Sequence, residues 1–242
     1  MTRLAPQHDF ATTHWSVVLA AGGTVAPAAA QALAVLCETY WYPLYAFVRR
    51  RGFDADDAKD LTQAFFTHLL QTEAVGVAQR ERGKFRSFLL ASLNHFLTNE
   101  WRKEQAQKRG GGNVILSLNL EAGEQRYVAE PSHEVTPEKI FERRWALTLL
   151  QQVLETLREE YVKGGKAELF EHLKNYLGGT ADGLPYAELA KQIGMTEGSV
   201  KVAIHRLRRR CGDLLREQIA QTVADPADVD DELRHLFSAL ST

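Results

Sequence analysis

The sequence predicts an all-α protein: two small helical domains joined by an acidic flexible linker, the second containing a helix-turn-helix. Three observations carry this. Apolar residues recur at three- and four-residue steps along most of the 242-residue chain. The triplet Gly110-Gly111-Gly112, followed by an acid-rich segment with two prolines, divides the chain near its middle. The stretch Leu184 to Leu215 carries small, turn and anchor residues at the spacing two crossed helices require.

Residues 1–25 form an N-terminal extension, and the first domain spans 26–109. From Ala28 to Arg51, Leu33, Leu36, Tyr40, Leu44, Phe47 and Val48 mark one helix face; Pro43 inside it is a point of bending or breakage, and Gly52 a stop. Asp54 or Asp56 caps a second helix through Leu61, Phe65, Phe66, Leu69 and Leu70. Val75 to Gly83 reads as a polar loop, and a third helix runs from about Lys84 to Lys108. The linker is 110–137; Asn113 to Glu138 holds five glutamates and one arginine, and a short alternating piece lies at Val114 to Leu120. Thr136-Pro137-Glu138 has the form of a helix start, with a cap and then proline at the first helical position. The second domain, 138–217, opens on a long amphipathic helix, Phe141 to Tyr161, and an insertion follows at about Gly164 to Gly183. Residues 218–242 are an acidic tail, with an apolar patch at Leu233, Leu236, Phe237 and Leu240.

Composition narrows the function classes. The chain has 29 Lys and Arg against 31 Asp and Glu. A near-neutral sum leaves a nucleic-acid partner open, because local charge decides that. Cys37 and Cys211 belong to no metal-spaced cluster and read as reduced thiols. No apolar run approaches the ~20 residues of a membrane span, and no signal peptide is visible. These features predict a cytoplasmic protein with no membrane partner, no cofactor and no metal. There is no P-loop, dinucleotide fingerprint or nucleophile elbow, and His14, His68, His95 and His205 are scattered, so no catalytic residue is assigned.

In the helix-turn-helix, Ala190 is the small residue at the crossing, Gly194 the turn and Val200 the anchor. Leu189, Ile193, Met195 and Ala203 complete the expected core, and Thr196 caps the second helix. From Pro185 to Glu217 seven cations face four acids. A recognition helix sets its first turns on base edges and later arginines on phosphates. The alternative for a basic helix is a solvated face in an ordinary bundle; the complete set of core positions favours DNA.

The first domain has a second basic block, from Arg80 to Arg109, with eight cations and three acids interleaved with aromatics. Basic groups follow a backbone while aromatics stack on unpaired bases. Most of these aromatics read equally well as core; helical spacing favours that for Phe88 and Phe96 and leaves Phe85 and Trp101 open between core and DNA contact. Upstream, Asp56 to Phe66 is an acidic helix start with an apolar stripe: either a well-capped helix or a docking face for a basic partner.

These elements, in this order, resemble the extracytoplasmic-function group of bacterial sigma-70 factors. DDAKDLTQAFF is similar to the family's DAEDLVQEVF, FRSFLLASLNHFLTNEWRKEQ to its F-R-x-W-L segment with a trailing basic run, and LPYAELAKQIGMTEGSVKVAIHRLRRRC to its minus-thirty-five reader. Lys59 and Ala64 stand where the family carries acids, and Phe88 where tryptophan is common. The resemblance implies a region 2-like first domain and a region 4-like second domain. It implies that Asp57, Lys59, Asp60, Gln63 and Phe66 bind the clamp helices of RNA polymerase core, whose flap is a further contact. For the minus-ten element it implies Arg80, Arg82, Lys84, Phe85, Arg86, His95, Asn99, Trp101, Arg102 and Lys103. For the minus-thirty-five element it implies Thr196, Glu197, Ser199, Lys201, Val202, His205, Arg206, Arg208 and Arg209.

The function so predicted is a transcription initiation factor that directs polymerase to promoter DNA. A stand-alone helix-turn-helix regulator is the alternative. An anti-sigma protein, a Ser/Thr kinase acting for example on Thr62, and the tail are candidate controls. The tail segment Asp225 to Glu232 is either solvated or folded against a basic DNA-binding face.

Overall fold

The computed structural model describes residues 27–71, 84–106, 124, 126–127, 135–178 and 184–241. Eight α-helices make up the described chain: α1 Pro27–Arg50, α2 Ala55–Gln71, α3 Phe85–Ala106, α4 Pro137–Lys163, α5 Ala167–Leu173, α6 Tyr186–Gln192, α7 Glu197–Ala220 and α8 Asp228–Leu240. A 3-10 turn, Lys174–Tyr176, follows α5. Among the described residues the one extended pairing is an isolated antiparallel bridge between Lys84 and Val223, so the architecture is all-α, as expected. No described helix is long and apolar enough to cross a membrane.

Local chemistry sets the helix limits. α1 runs through Pro43, which removes one intrahelical donor without ending the helix. Gly52 then adopts φ +98°, a left-handed conformation that terminates it. Asp54, rather than Asp56, caps α2: its Oδ1 accepts the Asp57 N–H at 2.8 Å. Thr136 caps α4, accepting the Lys139 N–H at 3.3 Å, and Pro137 takes the first helical position. The insertion after α4 is α5 and its 3-10 turn. The two helices around the turn differ in length, α6 with 7 residues and α7 with 24. The acid-rich tail is the helix α8, whose first turn holds Asp228, Asp230 and Asp231 at the positive end of its dipole.

The chain forms two compact units. One comprises the described residues up to Ala146 together with those from Ile219 onward; the other is Leu147–Gln218. The final segment thus belongs to the first unit. That unit has an aromatic core, with Tyr40, Tyr45 and Phe47 of α1, Phe65 and Phe66 of α2, Phe85 and Phe88 of α3, and Phe141 and Trp145 of α4 all buried. The Tyr40 ring meets Phe85 edge-on at 5.0 Å, and Phe65 meets Phe96 at 5.7 Å. Val223, Leu233 and Leu236 add the final segment to this core. In the second unit Leu149, Val153 and Leu157 line one face of α4, and Phe170, Leu173, Leu189, Val200, Ile204 and Leu207 complete the core.

Of the linker, Glu124, Arg126 and Tyr127 are described. Glu124 is not free in solvent: Arg49 donates to its two oxygens at 2.8 and 3.0 Å, and the Tyr45 hydroxyl donates to it as well. The N-terminal extension, the loop at 75–83 and the extended piece at 114–120 lie outside the described residues.

Candidate nucleic-acid interface

The second unit's interface is built on α6 and α7. Leu189 and Ala190 are buried on α6, and Val200, Ile204, Leu207 and Leu214 are buried on α7. These α7 positions repeat at helical spacing, so the opposite face of α7 is committed to solvent. Between the helices the chain turns at Gly194, whose φ is +66°. That conformation costs an L-residue about 1–2 kcal/mol and glycine almost nothing. The turn is braced by the Ile193 N–H donating to Leu189 O at 3.0 Å and the Met195 N–H to Ala190 O at 2.9 Å. Thr196 caps α7, accepting the Ser199 N–H at 3.2 Å on its hydroxyl. Ile193, Met195 and Ala203, expected in the core, are half-buried; Ile204 and Leu207 do that work.

All nine residues that the sequence assigns to the minus-thirty-five group are exposed: Thr196, Glu197, Ser199, Lys201, Val202, His205, Arg206, Arg208 and Arg209. They lie within the N-terminal cap and first four turns of one helix. The arginines are not equivalent. The Nε of Arg208 donates to Tyr176 O at 2.8 Å, which orients its guanidinium. Lys201 pairs with Glu197 at 2.7 Å, and this hydrogen bond raises the Lys201 pKa. Arg210, outside the assigned group, is held by Glu160 at 2.7 Å and Glu217 at 2.9 Å. Those two bonds engage its guanidinium and raise its pKa, so Arg210 ties α7 to Glu160 of α4. Sequence patterning does not reveal this, because Glu160 lies on α4.

In the first unit the assigned residues separate by burial. At the start of α2, Asp57 and Asp60 are exposed, Gln63 is half-buried, and Lys59 is half-buried within 3.4 Å of Asp56. Phe66, placed in the same group, is fully buried and belongs to the core. Thr62 is also fully buried, and its hydroxyl donates to Ala58 O at 2.7 Å, a structural role within α2.

At α3, His95 is exposed and Asn99 half-buried, with their side chains 3.2 Å apart. Phe85 is fully buried, between the rings of Tyr40 and Phe88. Arg86 is 7% exposed and lies over the Trp145 ring at 5.1 Å. Its Nε donates to Glu232 Oε1 at 2.8 Å, and its Nη1 to Glu142 Oε1 at 2.9 Å. Lys84 pairs with the other Glu232 oxygen at 3.2 Å. Burial opposes the charge on Arg86, and Glu232 and Glu142 outweigh it, so its pKa is raised. In the same way burial would raise the Glu232 pKa, but Arg86 and Lys84 hold it below the usual range. In the described arrangement, then, Phe85 and Arg86 are covered while His95 faces solvent. Arg80 and Arg82 lie outside the described residues, as do the side chains of Trp101, Arg102 and Lys103.

Residues 180–211 match the family model of sigma-70, region 4. A curated protein of Mycolicibacterium smegmatis, the ECF RNA polymerase sigma factor SigE, is 25% identical over 179 residues. The match covers 74% of this chain and 60% of that relative, so the chain spans less than two thirds of the relative's length. No solved structure matches. The helix-turn-helix built by α6 and the first part of α7 therefore matches sigma-70 region 4, and the chain that carries it is similar to a sigma factor of the extracytoplasmic-function group.

Proposed function

We infer that this chain is a transcription initiation factor that binds RNA polymerase core and directs it to promoter DNA. The observation that carries this is the exposed face of α7, where nine residues of the assigned group all reach solvent from a capped, well-anchored helix. The region 4 match and the relative's name support it. In this reading the second unit reads the upstream duplex and α3 with its flanking basic block meets the minus-ten element. The exposed carboxylates Asp57 and Asp60 dock on the basic clamp helices of core. The chain performs no chemical step, since polymerase supplies catalysis, and it acts where polymerase and DNA are, in the cytoplasm. An anti-sigma protein is the regulatory partner most in keeping with this class.

The test is capture of bacterial RNA polymerase core by the full-length chain and by an Asp57→Ala/Asp60→Ala/Gln63→Ala variant. Capture by the wild type and not by the variant supports the reading. If neither captures core while the protein alone shifts a defined palindromic duplex, a stand-alone regulator is the better account.

A further inference from the structure

We propose that the C-terminal helix is an intramolecular strap: on Lys84 and Arg86, Glu232 occupies the position that a nucleic-acid phosphate takes when the first unit binds DNA. This rests on the reading that the start of α3 meets promoter DNA.

The geometry at Glu232 is that of an anion site already filled. The carboxylate is 1% exposed, although it sits on the last helix of an acidic segment. Arg86 presents Nε and Nη2 to its two oxygens at 2.8 and 3.3 Å. A planar fork on two oxygens is also how guanidinium holds phosphate. Lys84 adds a second cation at 3.2 Å. The backbone at the start of α3 is engaged too: the Phe85 N–H donates to Thr222 O at 2.9 Å, and Lys84 bridges Val223. The segment thus takes a backbone donor of the α3 amino end, a place suited to an anion, together with both cations beside it.

Two features let the strap leave without wrecking what it covers. Glu142 holds Arg86 through Nη1 at 2.9 Å, so loss of Glu232 does not orphan the guanidinium. The grip of α8 comes from Glu232, from Leu233, Leu236 and Ala239, and from His235 beside Trp145 and Glu142, while Asp231, Arg234 and Phe237 face solvent. A helix held along one narrow stripe is the kind of element that opens locally at less than the global cost of unfolding.

The experiment uses the full-length chain and a labelled single-stranded oligonucleotide of about twelve nucleotides. Affinity is read by fluorescence anisotropy for the wild type and for Glu232→Gln, which keeps the shape and removes the charge. Hydrogen exchange of the α8 amides is followed in the wild type with and without saturating oligonucleotide. The strap predicts about tenfold tighter binding by the variant, and faster exchange of α8 in the DNA-bound wild type. Equal or weaker binding by a folded variant overturns it, as does undiminished protection of α8 in the complex. If Glu232→Gln shows no cooperative melting, the wild-type exchange decides alone. Absence of oligonucleotide binding by both proteins also overturns the strap. Core capture by the same preparations separates the two readings: capture with a failed strap test leaves the initiation factor standing, and loss of capture removes it.

Discussion

Arg86 and Glu232 stand 146 positions apart and meet in a two-point ion pair inside the first unit, at 2.8 and 3.3 Å. The pair joins the first turn of α3 to the second turn of α8. It also places Glu232 alone of the acidic segment inside the first unit, while Asp225, Asp230 and Asp231 stay exposed. Removing Glu232 takes away two charge-assisted hydrogen bonds, while Glu142 still compensates the Arg86 charge.

Glu232→Gln should lower the stability of the first unit by about 1.5–3 kcal/mol at neutral pH, read by urea denaturation. The Glu232 pKa is held below 4.5 in the folded state. Its stabilisation is therefore complete above the ordinary glutamate range and is lost as pH falls through the lowered folded value. Glu124, held low by Arg49, acts in the same direction. The wild type should lose stability on acidification below about pH 4.5, and the variant should lose less over the same interval.

Gly194→Ala tests the turn. A Cβ there meets nothing within 4 Å, so the cost is in the backbone, at φ +66°. The expected loss is about 1–2 kcal/mol in thermal or urea unfolding. Gly194→Asn should lose less, because asparagine enters the left-handed region more readily.

Arginines on α7 should divide into two classes. Arg206→Ala should weaken binding to promoter duplex across sequences and lower the salt slope by about one, with little change in melting. Arg210→Ala should leave the salt slope unchanged. It removes the bonds to Glu160 and Glu217, which are well exposed, so the stability cost is under ~1 kcal/mol. A salt titration of both variants checks the division.

Within the residues assigned to polymerase binding, Phe66→Ala should cost about 3–5 kcal/mol, because the ring is fully buried. Asp57→Ala should change stability by under ~0.5 kcal/mol while still reducing capture of core. Paired melting and capture measurements separate a packing residue from a docking residue.

The helix-turn-helix was legible in the sequence because its determinants are local. Ala190, Gly194, Thr196 and Val200 lie within eleven consecutive residues, and helical periodicity alone turns Ser199, Lys201, Arg206 and Arg209 away from the buried Val200, Ile204 and Leu207. The all-α class followed from the same periodicity, and the α4 start from Thr136 and Pro137. What the sequence could not decide was which charged or aromatic side chain a distant segment would cover. Phe66 and Phe85 each stand in a contact group as well as on an apolar helix face; in the described structure both are buried, Phe85 against Tyr40 and Phe88 and Phe66 beside Phe65. Arg86 reads as a free cation until Glu232 is placed upon it, and Arg210 until Glu160 is. Those pairings depend on long-range contacts between helices, which neither composition nor spacing contains, so only the tertiary structure could assign them.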